Sequence, residues 1–456
     1  MKRYKNRKAA VLLICMIFLC VFATLALSMA TVSGINAQIS SNFHKSNGAR
    51  ACAESGLEIT RCWIGEVSIP GTTSAGQKFT KLGDSLKSKA LGISEVTVIS
   101  DSNAITIPTI TLDSASGKNF SAVITPLDSE TLRIEIIGAC GSLSKNIRAN
   151  YKFGKRGSNV FDFGVASKGP VSLQGNIELA GVNIAVESNV YIESEFSNLA
   201  LSIIGNSQIA GDVSIVNPSA YVDLQGGHAE IGGESGQDAI DHHVRIGVPS
   251  TEFPTPDPEF FRNLVTLTNL PANYGSQSTF ENVIIPPNTN PSFSSNVTFK
   301  GVLFVEVPNQ VTFNGNVNIT GIVVGNGDPT DNSKTNTFSF SGNVSSSPIT
   351  NLPADAKFDP LRDQAGTFLM SPGFAVSFGG NFHTLNGAVA ANGVDFYGNA
   401  GGTINGSVIN YSPDPMTFQG NSDLYFNRSN ASTNPPGFVP EIVLKYDPTS
   451  YAEGPF

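Results

Sequence analysis

The stretch AAVLLICMIFLCVFATLALSMATV, residues 9–32, decides the fold of this chain because it is long enough to cross a bilayer as one helix. No charged residue occurs between Lys8 and His44. Because basic flanks stay on the cytoplasmic side, the sequence predicts a single pass through the inner membrane with the N-terminus cytoplasmic. The body is then predicted to be periplasmic or extracellular. The basic tip that precedes the run consists of Lys2, Arg3, Lys5, Arg7 and Lys8.

Three interpretations of the apolar run are open. A cleaved signal peptide has a shorter apolar core and a small-residue exit site, and Ala30–Gly34 is a poor exit. A plain membrane anchor fits the length of the run. In the third interpretation the helix continues past the membrane, because Ser28–Trp63 contains no proline and its apolar residues recur at spacings that include four. This interpretation predicts one long helix, half in lipid and half in solvent.

Three segments carry a resemblance to a known family: Lys8–Ile14 (KAAVLLI), Asn42–Ala51 (NFHKSNGARA) and Ala53–Glu58 (AESGLE). Together they resemble the N-terminus of PilX-type minor pilins, which are type IV pilus assembly proteins. The resemblance covers residues 1–64, which we assign to a transmembrane and stalk helix. It implies a membrane-anchored envelope protein that displays its body for pilus or secretion assembly or for surface adhesion, with pilin or pseudopilin subunits as partners.

The chain departs from the pilin pattern at two places. Lys8 stands where prepilins carry the glycine before the cut, and Leu13 and Ile14 stand where major pilins carry a glutamate. Cleavage by prepilin peptidase is therefore left open. Glu54 and Glu58 are four residues apart, and we interpret them as an acidic face on a solvated helix rather than as groups that carry out chemistry.

Residues 65–160 are predicted to form a small pilin-like α+β domain. Gln77–Lys89 places three apolar residues on one face of a short helix. Alternation of apolar and polar residues then predicts a meander of strands, of which the last two pair across the turn at Gly138–Gly141. The predicted strands cover residues 95–99, 105–112, 120–124, 131–137 and 144–153.

Residues 165–430 contain a recurring motif: an apolar residue, any residue, glycine and asparagine. Five copies begin with Phe, and they follow one another at spacings of 27, 38, 18 and 22 residues. Short apolar strands between Gly and Asn corners predict a right-handed parallel β-helix, with Phe stacked on Phe in the core and Asn in a ladder at one corner. A two-layer sandwich is the alternative. The copies are Leu173–Asn176, Ile203–Asn206, Phe313–Asn316, Phe340–Asn343, Phe378–Asn381, Phe396–Asn399 and Phe418–Asn421.

Proline-rich segments are predicted to interrupt or end the repeat. Residues 249–292 are interpreted as an excursion over the β-helix with one short helix at Pro258–Leu267, and residues 348–362 as a smaller one. Residues 431–456 are predicted to be a tail. The fold class is thus mainly β with a long N-terminal helix, a small pilin-like α+β domain and a parallel β-helix.

Charge and cysteine content limit the choice of function. Charged residues are 14% of the chain and the formal net charge is −9, which argues against a nucleic-acid partner because phosphate binding needs clustered Lys and Arg. Cys52 and Cys62 are too far apart along one helix to pair with each other. Either could reach Cys140, and this pairing is left open.

One segment, His228–His243, has the composition of a metal site because it combines three histidines with carboxylates. Its spacing matches no ligand pattern, and a solvated, pH-titrating loop is the other interpretation. The loop Asn326–Asn332 suggests calcium but lacks the closing glutamate of an EF-hand. We therefore predict no metal, cofactor or catalytic residue. The residues concerned are His228, Glu230, Glu234, Asp238, Asp241, His242 and His243.

Enzymatic activity is weighed because many parallel β-helices act on polysaccharides. Such chemistry needs paired carboxylates, or a carboxylate with Arg and Lys, in one groove. No carboxylate pair repeats along the predicted coils. The sequence therefore predicts a protein that is not an enzyme. A surface protein that binds or cleaves a polysaccharide, with a surface glycan as partner, is the alternative, and a scaffold that polymerises end to end is a third hypothesis.

Overall fold

The computed structural model describes residues 6–67, 69–90, 96–429 and 431–454, and the chain divides into two compact units. The head unit contains the described residues up to Ile69, then Thr73–Gly154 and those from Val443 onward. The body unit contains Pro70–Thr72 and Lys155–Ile442. A long N-terminal helix is followed by a mostly β structure with parallel sheets, in agreement with the predicted fold class.

The head unit is built around the N-terminal helix, Asn6–Gly65, which has 60 residues and is therefore about 90 Å long by its rise per residue. From Ala49 onward, small and apolar side chains three or four positions apart are buried on one helix face. A 3-10 turn at Ala75–Gln77 leads into a second helix, Lys78–Ala90. The predicted apolar face of that helix is confirmed, since Phe79, Leu82 and Leu86 are buried.

The head sheet has six strands, and the first five follow one another as an antiparallel meander. The predicted pairing across Gly138–Gly141 is confirmed, with Cys140 opposite Leu143. The predicted strand 95–99 is confirmed only at Ile99, because residues 96–98 are not in a strand; Glu95 lies outside the described residues. The strands in sheet order are Ile99–Ser100, Ile105–Asp113, Lys118–Pro126, Thr131–Cys140, Leu143–Arg156 and Glu441–Glu453.

The sixth strand corrects the prediction of a tail at 431–456. Glu441–Glu453 lies beside Leu143–Arg156 at the edge of the head sheet, so the chain returns to the head unit. The tail was predicted from the proline-rich composition of this segment, but an edge strand tolerates a proline such as Pro448, which would remove a ladder hydrogen bond in a central strand. Just before it, Phe438–Val439 pairs with Thr255–Pro256 within the body.

The body unit winds through three sheets in turn, and strands from successive coils pair in parallel, which is the arrangement of a parallel β-helix. The alternative of a two-layer sandwich is therefore wrong, while the hand of the coil stays a prediction. The nine-stranded sheet contains, in spatial order, Ser292–Phe293, Gln310–Phe313, Thr337–Phe340, Ala375–Phe378, Val394–Phe396, Met416–Gly420, Val171–Gly175, Leu199–Gly205 and Tyr221–Gln225.

The other two sheets follow the same spatial order of coils. The seven-stranded sheet contains Thr384–Leu385, Gly402–Ile404, Leu424–Phe426, Glu178–Gly181, Gln208–Ile209, Glu230–Ile231 and Glu234–Ser235. The twelve-stranded sheet contains Thr268–Asn269, Thr279–Ile285, Val297–Val305, Val317–Gly325, Thr367–Ser371, Ala388–Ala391, Val408–Asn410, Val165–Ser167, Val190–Ile192, Val213–Ile215 and Val244–Ile246, with Val344–Ser347 beside Val317–Gly325.

Short helices occupy the turns and connections of the body. The α-helices are Gly236–His243, Pro258–Arg262 and Asp359–Arg362. The 3-10 turns are Asn159–Asp162, Ala185–Ser188, Tyr274–Ser276 and Ile349–Asn351.

The spatial order of the coils is circularly permuted relative to the sequence. Met416–Gly420 pairs with Val171–Gly175, so the last coil stacks on the first one. The chain enters the β-helix in the middle, winds to one end through residues 165–246, and then starts again at the opposite end to wind back through residues 268–426. We name these two parts the aliphatic arm and the phenylalanine arm.

The segment 247–267 connects the two ends of the β-helix. Its flanking strands, Val244–Ile246 and Thr268–Asn269, are the first and last of eleven in the twelve-stranded sheet, which puts them about 48 Å apart at the usual strand spacing. A chain of this length reaches about 70 Å when extended, so it can make the crossing. The predicted excursion at 249–292 is thus too long, because Thr279–Ile285 already belongs to a coil and the prolines near it lie at corners. The predicted helix at Pro258–Leu267 is confirmed only for Pro258–Arg262.

The core of the phenylalanine arm is a column of rings. Neighbouring rings have centroids 5.3, 4.8, 5.0, 5.2 and 5.3 Å apart and planes within 12° of parallel. The prediction of stacked Phe side chains is confirmed. In register with this column, Leu173, Ile203 and Leu224 continue the same core position through the aliphatic arm. The rings belong to Phe293, Phe313, Phe340, Phe378, Phe396 and Phe418.

Candidate functional site

The first half of the N-terminal helix presents its side chains to the surroundings. All residues from Ala10 to His44 are exposed, and Leu12 and Phe22 are each 65% exposed. The helix from Ala10 to Gly65 is long and apolar enough to cross a membrane. Because burying one large apolar side chain is worth about 1.5–3 kcal/mol, this surface requires lipid or protein around it.

The second half of the helix lies on the head sheet through very small residues. A Cβ at Gly138 would overlap with the backbone of Ala49 and Ala53, and a Cβ at Gly56 would approach the Phe120 ring to 2.5 Å. The small residues of the segments that resemble PilX-type pilins are therefore contact residues between helix and sheet. Sequence reasoning used these small residues only for the resemblance, and their spacing of three and four was the signal for this packing.

The glutamates of the same segment point away from that contact. Glu54 accepts a hydrogen bond from Arg50 at 3.1 Å, and Glu58 lies 3.5 Å from Arg61. Both carboxylates are exposed, as expected for an acidic face on a solvated helix. Arg50 also contacts Glu453 at 2.8 Å, which the prediction of a C-terminal tail could not include.

A pocket of about 360 Å³ lies between this helix face and two strands of the head sheet. Tyr151 lines it, is 2% exposed, and its hydroxyl has no hydrogen-bond partner among the described residues. Burial raises the pKa of Tyr151 to about 12. The Tyr446 ring lies 5.4 Å from the Tyr151 ring, and the Arg61 guanidinium lies 5.6 Å above Tyr446. Sequence reasoning missed this pocket because it treated the strand that carries Tyr446 and Tyr451 as part of a tail.

The cysteines are all free thiols. Cys52 and Cys140 are buried, whereas Cys62 is exposed. Burial raises the pKa of Cys52, and the neighbouring Cys140 raises it further. Of the two partners considered for Cys140, the structure therefore brings Cys52 near it.

The histidine-rich segment forms the cap on the end of the aliphatic arm. In the helix Gly236–His243, Ala239 is buried in the core of the β-helix. His242 Nδ1 lies 2.7 Å from Glu234, and His243 Nδ1 lies 2.8 Å from Asp212, a residue that the sequence did not single out. No three His, Cys, Asp or Glu side chains among the described residues are grouped to hold a metal ion. The cap is thus held in place by two separate side-chain pairs, His242–Glu234 and His243–Asp212.

The candidate calcium loop Asn326–Asn332 is also organised by local hydrogen bonds. Asp328 accepts the backbone N–H of Thr330 at 2.8 Å, and Asp331 accepts that of Ser333 at 3.0 Å. These are turns in which the carboxylate stabilises its own loop.

A cleft of about 520 Å³ is lined by residues of both arms and of the crossing segment. Burial raises the pKa of Glu193 to about 7, partly offset by Lys168, and burial also raises the pKa of Glu252. The Lys168 ammonium lies 5.3 Å over the Phe253 ring, and Phe196 at the cleft is 85% exposed. The cleft combines carboxylates, one cation and three aromatic rings, those of Phe196, Phe253 and Tyr411. Sequence reasoning missed it because its residues come from coils and a crossing segment that are far apart in the chain.

Comparison with known proteins leaves the family of this chain open. No family model matches the chain, and no curated protein matches it. Among solved structures, the competence-associated pilin ComZ from Thermus thermophilus matches over 90% of this chain and 97% of that chain, with 12% identity and a TM-score of 0.23. A likeness at this level carries no conclusion on fold or function.

Proposed function

We propose that the protein is a membrane-anchored, minor-pilin-like envelope protein. Its N-terminal helix holds it in the inner membrane, and its head and β-helix lie in the periplasm or outside the cell. There the body serves pilus or secretion assembly or surface adhesion. The observation that carries this proposal is one uninterrupted helix whose first half is apolar and exposed and whose second half is packed on a sheet.

Pilin or pseudopilin subunits are the proposed partners of the exposed helix. After the apolar run, residues Ser33–Phe43 are still helical and still exposed, so about 16 Å of polar helix follows the membrane-spanning part. This segment, together with the apolar run, offers a surface for packing against helices of other subunits. The PilX-type resemblance of residues 1–64 supports the same assignment.

The role we propose is structural rather than catalytic. The stacked rings and the Gly-Asn corners of the β-helix account for its repeat without reference to a substrate. The histidine-rich segment is likewise accounted for by its part in capping one end.

Cysteine labelling tests the membrane topology. Cys62 is the exposed thiol outside the apolar run, whereas Cys52 and Cys140 are buried. In a Gram-negative host with a permeabilised outer membrane, we expect a membrane-impermeant maleimide to label the full-length protein, and the Cys62→Ser control to lose the label. Labelling that requires lysis of the inner membrane, or recovery of the unaltered protein in the soluble fraction, would contradict the proposal.

A second candidate function, binding or cleavage of a surface polysaccharide, is favoured by the cleft beside the crossing segment. A carboxyl group with pKa about 7 is protonated often enough near neutral pH to serve as a general acid. The exposed Phe196 offers a platform for a sugar ring. A glycan array with the full-length protein tests this function, and Glu193→Gln should abolish turnover but retain binding. If neither the wild type nor this variant binds any glycan, the second candidate is excluded.

A further inference from the structure

We propose that the tyrosine-lined pocket of the head unit binds an alkylammonium group, and that its occupant is a lysine side chain of a partner polypeptide. The inference goes beyond the proposed function, since it assigns a ligand chemistry to a site that membrane anchoring does not involve. The pocket lies between the N-terminal helix, the strand Leu143–Arg156 and the strand Glu441–Glu453, all of which contribute lining residues.

The first observation is the hydroxyl of Tyr151. Its side chain is almost fully buried, it lines the pocket, and its oxygen has no hydrogen-bond partner among the described residues. A buried polar group without a partner destabilises a fold, and phenylalanine would fill the same space without this cost. A tyrosine at this position is explained if a ligand supplies the missing hydrogen bond.

The second observation is the aromatic wall. Tyr446 and Tyr451 line the pocket together with Tyr151, and the Arg61 guanidinium lies 5.6 Å from the centre of the Tyr446 ring. This distance is within the range of a cation–π interaction. The wall therefore already accommodates a cation on one of its ring faces.

The third observation is the charge at the rim. The residues that line the pocket include two carboxylates, Glu54 and Glu58, and one cation, Arg61. Their formal charges add up to −1. Burial raises the pKa of both Tyr151 and Tyr451 to about 12, so these two phenol groups add no charge near neutral pH. An anion would be repelled by the two carboxylates, whereas a cation is attracted by the carboxylates and by the negative potential of aromatic ring faces.

A lysine side chain satisfies these features together. Its ammonium group has three donors, and the phenol oxygen of Tyr151 and the rim carboxylates accept hydrogen bonds. Its four-carbon stem packs on apolar surface, which Leu57 and the rings provide. The volume of about 360 Å³ leaves room for the stem and the ammonium.

Titration of the full-length protein in detergent micelles with Nα-acetyl-lysine amide tests the assignment. The matched ligand is Nα-acetyl-norleucine amide, which keeps the stem and lacks the ammonium. We expect ligand-observed NMR to detect the lysine amide and to detect no binding of the norleucine amide. Glucose and choline complete the set, since a neutral polyol and a quaternary ammonium from a lipid headgroup are the other ligands that aromatic walls accept.

Two variants separate a binding role from a structural one. Tyr446→Leu removes a ring face and should weaken lysine amide binding about tenfold, a change that corresponds to about 1.4 kcal/mol. Tyr151→Phe should weaken it to a similar extent without lowering the melting temperature of the ligand-free protein, which a purely structural hydroxyl would do. Tyr397→Phe, on the body, is the matched control and should leave binding unchanged.

The proposal is overturned if the norleucine amide binds as tightly as the lysine amide, or if Tyr446→Leu leaves the affinity unchanged. Binding of glucose but not of lysine amide would also overturn it. Tighter binding of choline than of lysine amide would overturn the assignment to a partner's lysine. The topology experiment with Cys62 is unaffected by any of these results, so failure of the two proposals is distinguishable.

Discussion

The two arms of the β-helix use one corner motif and two different cores. In the phenylalanine arm, Phe rings stack from coil to coil, whereas Leu173, Ile203 and Leu224 hold the same position in the aliphatic arm. The Gly-Asn corner that follows is shared by both arms. The corner therefore sets the register of each coil, and the core residue is free to change as long as it fills the interior.

The motif glycine itself is needed for different reasons at different places in the stack of coils. Gly175 and Gly205 have φ of +127° and +92°, and a Cβ at either would overlap with the preceding corner in the stack. Gly342 and Gly380 are not in the left-handed region, yet a Cβ would still meet a backbone oxygen of the neighbouring coil. Gly398 and Gly420, in the last two motif copies of the phenylalanine arm, have φ of +69° and +89°. Gly342 and Gly380 are therefore needed for space alone, whereas Gly420, Gly175 and Gly205 are needed for space and conformation.

Removal of one ring from the column is expected to have the largest effect. Phe340 is fully buried between Phe313 at 4.8 Å and Phe378 at 5.0 Å. Phe340→Ala should lower the free energy of unfolding of the body by about 4 kcal/mol, because it leaves a cavity and ends both stacking contacts of this ring within the column. Urea denaturation followed by circular dichroism measures this change.

Leu173→Ala is the matched variant of the aliphatic arm. Leu173 is fully buried at the same core position, and we expect a loss of about 3 kcal/mol. If the leucine variant loses more stability than the phenylalanine variant, stacking adds nothing to burial, and the difference between the arms is one of volume only.

The repeat was predictable from sequence, and the order of the coils was not. Phe residues at the same place in the motif predicted the column, because successive coils of the phenylalanine arm follow one another in the chain. The contact between Met416–Gly420 and Val171–Gly175 joins residues about 245 positions apart, and no feature of either strand marks the partner. A permuted order of coils needs only a crossing segment that is long enough to connect the two ends. The prolines of this segment could not be distinguished in the sequence from prolines at the corners of coils, so the segment was not recognised.

The candidate sites were hidden for a related reason. Tyr151 and Tyr446 come together because Glu441–Glu453 returns to the head sheet, and an edge strand that contains Pro448 resembles a tail in sequence. Glu193 and Glu252 meet because the crossing segment runs beside the first coils. By contrast, the helix and its small residues follow a local spacing, so the N-terminal helix was predictable.

Substitution of the corner glycines tests whether backbone conformation or close contact selects glycine at a given corner. Gly175→Ala combines the overlap with a backbone conformation that non-glycine residues adopt at a cost of about 1–3 kcal/mol, whereas Gly342→Ala has the overlap alone. We expect the first to lower the free energy of unfolding by at least about 1 kcal/mol more than the second. Equal losses in parallel denaturation experiments would mean that close contact, not conformation, selects glycine at both corners.

The asparagine ladder at the junction of the arms is expected to contribute less to the free energy of unfolding than the core residues and the corner glycines. Asn176 donates to Asn421 at 2.9 Å and accepts from Asn206 at 3.1 Å, and all of these side chains are exposed. Asn176→Ala should lower the free energy of unfolding by about 1 kcal/mol, since water replaces part of each hydrogen bond. Asn343→Ala is the counterpart in the other arm, where the side chain accepts the backbone N–H of Asn381 at 3.1 Å. A loss well above that of Asn176→Ala would mean that capping a backbone donor matters more than the ladder.

The smallest expected effect concerns pH and the cap on the aliphatic arm. The hydrogen bond and negative charge of Glu234 raise the pKa of His242 above its ordinary value of 6.5, with smaller contributions from Asp238 and Asp241. Because the folded state holds this proton more tightly than the unfolded chain, the stabilisation is complete below pH 6.5 and is lost as the pH rises through the raised pKa. The wild type should therefore lose a small increment of thermal stability relative to His242→Gln between pH 6 and 8. Other groups of this arm that titrate in this range, such as Glu193, are present in both proteins, so their contribution cancels when the two thermal stabilities are subtracted. If the difference does not change with pH, the His242–Glu234 pair does not hold the cap in solution, and Ala239 with the pair His243–Asp212 is left to hold it.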